Sequence, residues 1–170
     1  FIVWAQDDDG YDTDQGWTGT IDNFVYIGAA DDYGWNSDHA MELDGSEGDD
    51  GAENLVGNFI NGSARGLNSS DYADLRDGAK YDLQNTYFFD FAEGSDIELD
   101  ADGSVDPNDP DSNLSDDDRI STNYADDIIV FDGLEFKTTN AIGEIFVDKL
   151  DAALAAAVGS QTEAEYGTQI

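Results

Sequence analysis

Asn23-Phe24-Val25-Tyr26-Ile27 is a run of β-branched and aromatic residues opened by an amide, the composition of a buried strand. Related runs stand at Phe1-Ile2-Val3-Trp4, Asn58-Phe59-Ile60 and Asn85-Thr86-Tyr87-Phe88-Phe89, so that three of the four begin with Asn. A second strand-like unit follows each: Tyr11-Asp12-Thr13-Asp14, Met41-Glu42-Leu43-Asp44, Asp74-Leu75-Arg76 and Ile97-Glu98-Leu99-Asp100. A third precedes the next Asn: Gly19-Thr20-Ile21-Asp22, Asn54-Leu55-Val56-Gly57 and Lys80-Tyr81-Asp82-Leu83-Gln84. The closest internal match sets Ser37-Asp38-His39-Ala40-Met41-Glu42-Leu43-Asp44-Gly45 against Ser70-Asp71-Tyr72-Ala73-Asp74-Leu75-Arg76-Asp77-Gly78. Three short strands per repeat, at roughly 23 to 35 residues per turn, is the arithmetic of coils that stack to share one core. The fold expected is all-β: a right-handed parallel β-helix with three strands per coil over residues 1–99. Its equivalent Asn side chains are expected to stack as a ladder. An antiparallel sandwich is the competing reading. The chain opens in mid-pattern, which predicts further coils upstream.

Beyond the repeats the pattern changes. Residues 100–118 are almost all Asp, Asn, Ser, Gly and Pro, an acidic loop. Asp127-Ile128-Ile129-Val130-Phe131 and Leu134-Glu135-Phe136 read as strands around Asp132-Gly133. Phe146, Leu150, Leu154 and Val158 recur at i+4, with Glu144 before them and Gly159 after, which predicts a helix. Residues 119–170 are thus expected to be a strand-plus-helix segment capping the open end of the coils.

The chain of 170 residues is long enough for one domain with a real core, and 39% of it is hydrophobic, against an acidic disordered tail. Forty acidic residues face six basic ones, a formal net charge of −34. Such self-repulsion needs counterions or bound cations to offset it. Nucleic acid and anionic membrane surfaces are poor partners, because binding phosphate takes the Lys and Arg that are scarce here. There is no cysteine, hence no disulfide and no thiolate metal site. No apolar stretch has membrane-spanning length, and no segment reads as a signal peptide.

The sharpest chemical motif is Glu98-Leu99-Asp100-Ala101-Asp102-Gly103-Ser104-Val105-Asp106-Pro107-Asn108-Asp109. Its carboxylates fall at positions 1, 3, 5, 9 and 12 of a twelve-residue calcium loop, with Gly at 6 and the Ser104 carbonyl at 7. Glu98, Asp100, Asp102, Ser104, Asp106 and Asp109 are the candidate ligands, and the spacing resembles dockerin and thrombospondin type 3 loops. A second candidate set joins Asp7, Asp9, Asp12 and Asp14 to Glu42 and Asp44 on the next coil, where stacked carboxylates would repel unless a cation bridges them. Calcium is the cofactor implied. His39, the single histidine, reads as a corner residue bonded to Asp38 rather than as a base. Arg76 beside Asp74 and Asp77 reads as a local ion pair; as a base with calcium it would suit a polysaccharide lyase. Trp17, Trp35, Tyr33 and Arg76 are candidate glycan contacts. No P-loop, dinucleotide fingerprint, zinc motif or nucleophile elbow is present.

Asp8-Asp9-Gly10-Tyr11-Asp12-Thr13-Asp14-Gln15-Gly16-Trp17, Gly19-Thr20-Ile21-Asp22-Asn23-Phe24, Ser37 to Gly48 and Tyr72 to Ala79 resemble, in order, motifs of a large family of Bacteroidota secreted and outer-membrane lipoproteins. That resemblance covers about residues 1–95 and implies a parallel β-helix outside the cell or on its surface. Members often carry the label "multidrug transporter", and their usual lipid-anchor Cys is not among these residues. The function expected is a non-catalytic structural or adhesive module stabilised by calcium, with surface proteins or glycans as partners. Carbohydrate binding or lyase-type cleavage is the first alternative, and a subunit of a larger outer-membrane complex the second.

Overall fold

The computed structural model describes residues 1–14, 17–29, 37–45, 56–67, 71–76, 78–99, 129–148 and 168–169. The β-branched and aromatic runs form strands, in chain order β1 (Ile2–Trp4), β2 (Tyr11–Thr13), β3 (Thr20–Ile27), β4 (Met41–Asp44), β5 (Gly57–Arg65) and β6 (Ala73–Arg76). There follow β7 (Tyr81–Phe89), β8 (Ile97–Leu99), β9 (Val130–Asp132), β10 (Glu135–Lys137), β11 (Phe146–Asp148) and β12 (Thr168–Gln169). They make two sheets. One runs β1-β3-β5-β7-β10-β12 with β9 also on β7; the other runs β11-β8-β6-β4-β2. Every strand pairing among the described residues is parallel.

This overturns the three-stranded β-helix. The described residues form two stacked parallel sheets and no closed helix. The unit expected as a third side is continuous with the Asn run, so Thr20–Ile27 is one strand rather than two. The cause is local. Asn23, Asn61 and Asn85 adopt φ of 58°, 59° and 48°, and each bends its strand at a point where the pairing lapses for one residue and resumes in the same register. Asn is among the few residues with a side chain that tolerate this left-handed conformation. Gly133, at φ 64°, takes the matching place between β9 and β10.

The amide ladder forms. Asn85 Nδ2 donates to Asn61 Oδ1 (3.4 Å), and Asn61 Nδ2 donates to Asp22 Oδ1 (2.8 Å), which also accepts from Asn23 Nδ2. Its register differs from the expected one. Asn58 pairs with Thr20 and Asp82, so the counterpart of Asn23 is Asn61. Likewise Glu42 lies beside Asp74, one residue off the alignment of Ser37–Gly45 with Ser70–Gly78. A slip of one would have turned every side chain of that strand to the opposite face.

The facing sides of the two sheets supply a single core. Phe24, Tyr26, Phe59, Leu83, Phe88 and Phe136 come from the larger sheet; Met41, Leu43, Leu75, Ile97, Leu99 and Phe146 come from the smaller. Full burial of each such side chain stabilises by about 1.5–3 kcal/mol. Two phenols stitch the sheets: Tyr11 donates to the Val25 carbonyl (3.1 Å) and Tyr81 to that of Asp44 (3.2 Å). Buried Ser37 Oγ accepts from the Ala29 N–H and donates to the Gln6 carbonyl, tying three segments together.

The capping helix is corrected at its start. Ile142–Glu144 is a single 3-10 turn, and Phe146 lies in β11 against Ile97 of β8. A phenylalanine with an apolar slot at the end of an existing sheet gains more by joining it than by beginning a helix. Leu150, Leu154 and Val158 lie outside the described residues. Among the described residues no helix is long and apolar enough to cross a membrane, which leaves a β-barrel untouched.

Candidate metal centre

Parallel in-register pairing turns the sequence pattern into columns. On the outer side of the smaller sheet, Asp12, Glu42, Asp74 and Glu98 occupy one rung position on four neighbouring strands. Adjacent strands lie about 4.8 Å apart, so the charges of such a column repel strongly. Next to it, Asp44 faces Arg76. The Arg76 guanidinium is shared by three carboxylates: Nε lies 3.1 Å from Asp44 and 3.6 Å from Asp74, and NH2 pairs with Glu42. A guanidinium held in this way is a poor base and a poor free glycan hook, but a good neutraliser of stacked acid.

Just before the strands, the chain adds a second charged row. Gly10 N–H donates to the His39 carbonyl, and Asp71 N–H to the Asp38 carbonyl, so these segments extend the sheet. His39 is bridged to Asp71, and its Nδ1 lies 2.8 Å from Asp9 Oδ1, which also accepts the His39 N–H. The pair is largely removed from solvent, with side-chain exposure of 14% and 7%. The partner of His39 is thus Asp9 from the preceding repeat, where its neighbour Asp38 was expected. Sequence spacing misses this pairing because the two residues stand thirty apart.

Among the described residues, two groups bring ligand atoms within 4.8 Å of one another: Asp9, His39 and Glu42, and His39, Asp74 and Glu98. With Nδ1 of His39 engaged by Asp9, Nε2 is the nitrogen left to ligate. An orienting carboxylate on the far side of a ligating imidazole is a recurrent arrangement in metal sites. One imidazole and two carboxylates suit divalent ions from calcium to the first-row metals, with nitrogen favouring the latter.

The surroundings push the same way. The carboxyl of Asp12 is held above its ordinary value by burial first, then by the charges of Asp14, Asp9 and Asp8, with Arg76 opposing. Asp71 is also raised, by burial, against the Asp96 N–H and the His39 charge. A bound cation would relieve both.

The sequence-derived candidates fall out as follows. Asp9, Asp12, Glu42 and Asp44 do gather on one side of the smaller sheet, though Glu42 and Asp44 already share Arg76; Asp7 and Asp14 are exposed. Of the proposed calcium loop, Glu98 sits in β8 beside Asp74. Asp100, Asp102, Ser104, Asp106 and Asp109 lie outside the described residues, as do Tyr33 and Trp35. Trp17 packs on Phe59 with centroids 5.9 Å apart and is only partly exposed.

No protein-family model matches the chain, and no curated protein and no solved structure matches it either.

Proposed function

We propose that the protein is a non-catalytic structural module of the cell exterior or cell surface whose acidic sheet is held together by a divalent cation. The observation that carries this reading is the column Asp12, Glu42, Asp74 and Glu98, flanked by His39 in the adjoining row and relieved by the Arg76 guanidinium. The ion sits at His39, Asp74 and Glu98, with Asp9 orienting the imidazole. Calcium is the cation assigned, because the donors are mostly carboxylate oxygens and extracellular calcium reaches the roughly 10⁻⁴–10⁻³ M needed by weak sites. The −34 charge and the lack of cysteine fit that setting without requiring it. Anchoring in an adhesive or outer-membrane assembly follows from the resemblance to Bacteroidota surface lipoproteins.

The test is thermal unfolding with calcium, with zinc and with chelator. Calcium should raise the melting temperature, and His39→Ala together with Glu98→Gln should abolish the rise. Stabilisation by zinc alone would keep the site and replace the metal. No shift with either ion at saturation removes the site from the account.

A further inference from the structure

The outer side of the larger sheet is chemically unlike the rest of the molecule. Register places Trp4, Ile27, Arg65, Phe89 and Lys137 in one column across five neighbouring strands. The parallel column holds Ile2, Val25, Ser63 and Tyr87. Trp4 and Ile2 are 75% and 76% exposed, because only Val3 of β1 turns inward to the core. Tyr87 and Phe89, two apart on β7, stack with centroids 5.1 Å apart and planes 15° from parallel. Trp4 and Phe89 stand three strand spacings apart, about 14 Å. Two aromatic platforms therefore flank a strip made of Val25 and Ile27 on β3 and Ser63 and Arg65 on β5.

The charges of this face balance, and they lie on its β5–β7–β10 side. Arg65 Nε lies 3.0 Å from Asp90 and Lys137 Nζ 3.7 Å from the same carboxylate, while Glu135 supplies the second negative charge beside them. Two cations and two anions cancel, in a chain that elsewhere is overwhelmingly acidic. A polyanion approaching this face meets the repulsion of the whole molecule, and so does a second copy of the chain. A neutral ligand meets none.

We infer that this face binds an extended neutral polysaccharide laid across the strands. The apolar C–H faces of its sugar rings rest on Trp4 and on the Tyr87–Phe89 pair. Its hydroxyls bond to Arg65, Asp90 and Ser63, groups that donate and accept in close alternation. The inference is independent of the cation site, which lies on the other sheet.

Electrophoresis of the full chain through gels containing hydroxyethylcellulose, glucomannan or laminarin tests it, with polygalacturonate as the acidic comparison. At least one neutral polymer should retard the protein. Trp4→Ala and Phe89→Ala should each weaken that retardation about tenfold. Trp4→Phe should keep it, and so should Thr20→Ala on the other half of the sheet, with melting temperatures unchanged. Retardation by none of the three neutral polymers, or by polygalacturonate alone, overturns the inference. So does retardation that survives Trp4→Ala. A dimer in sedimentation velocity that Trp4→Ala dissolves gives the face to self-association and overturns it as well.

Discussion

Asn61 stands at the centre of the amide ladder, donating to Asp22 on one side and accepting from Asn85 on the other. Asn61→Asp would turn a donor toward a carboxylate into a second carboxylate. The expected loss is about 1–2 kcal/mol at neutral pH, measured by denaturant unfolding, and it should fade as pH falls through the carboxylate range near 4. Gly133 makes a different demand. Its φ is 64°, and a Cβ there would lie 2.7 Å from Asn85 Oδ1, so Gly133→Ala should cost about 1–2 kcal/mol. The Asn motif was visible in the sequence as a recurring strand opener. Its register was not, because Asn58-Phe59-Ile60 looks more like Asn23-Phe24-Val25 than Asn61-Gly62-Ser63 does. The structure shows why the true counterpart is disguised: the Phe24 ring occupies the space that a side chain at Gly62 would fill. Packing conserves the volume shared by neighbouring strands, not the residue at each place.

At the scale of the element, each strand is defined by the two beside it, and Arg76 is the clearest instance. β6 brings one guanidinium to Glu42 and Asp44 of β4 and to its own Asp74. Arg76→Ala leaves three carboxylates without their shared counter-charge. Because the side chain is about one-third exposed, the expected cost is nearer ~2 kcal/mol than the ~3–5 kcal/mol of a fully buried pair. Arg76→Lys should recover only part of it, since a compact ammonium lacks the planar spread of donors by which the guanidinium reaches carboxylates on two strands at once. Strand identity was legible from composition, and most bounds fell where the apolar runs are. The expected start of the C-terminal helix at Phe146 is the part corrected: its i+4 spacing to later apolar residues is real, but its own environment is a strand slot beside Ile97. Periodicity records which residues share a face; it does not record that a neighbouring edge is open. The candidate site was half legible: stacking of Asp12 on Glu42 follows from the repeat, whereas the meeting of Asp9 with His39 needs the exact register of the turns before the strands.

Across the whole molecule the balance of charge dominates. Asp12, Asp71 and Asp82 all have carboxyls raised above the ordinary 3.8, in each case mainly by burial. The native chain therefore holds protons more tightly than the unfolded one. Their ionisation costs stability, fully so above the raised values, and the cost vanishes below 3.8. In chelator, the melting temperature should rise as pH is lowered through those raised values toward 3.8; a monotonic fall over that range would contradict the account. Salt should act similarly at fixed pH, as the screening length drops from about 10 Å at 0.1 M to about 3 Å at 1 M. Saturating calcium should flatten both dependences.

The alternation of strands between two sheets also decides what happens when the covalent chain is cut. From β1 to β8 each strand pairs with strands two elements earlier or later, and β7 and β8 also hold β10 and β11, so no strand's hold passes through the segment leading into it. A protease nick in the connection between β4 and β5 would separate two fragments on a denaturing gel. In native buffer they should stay joined along the β3–β5 and β4–β6 ladders, co-eluting at the mass of the intact protein.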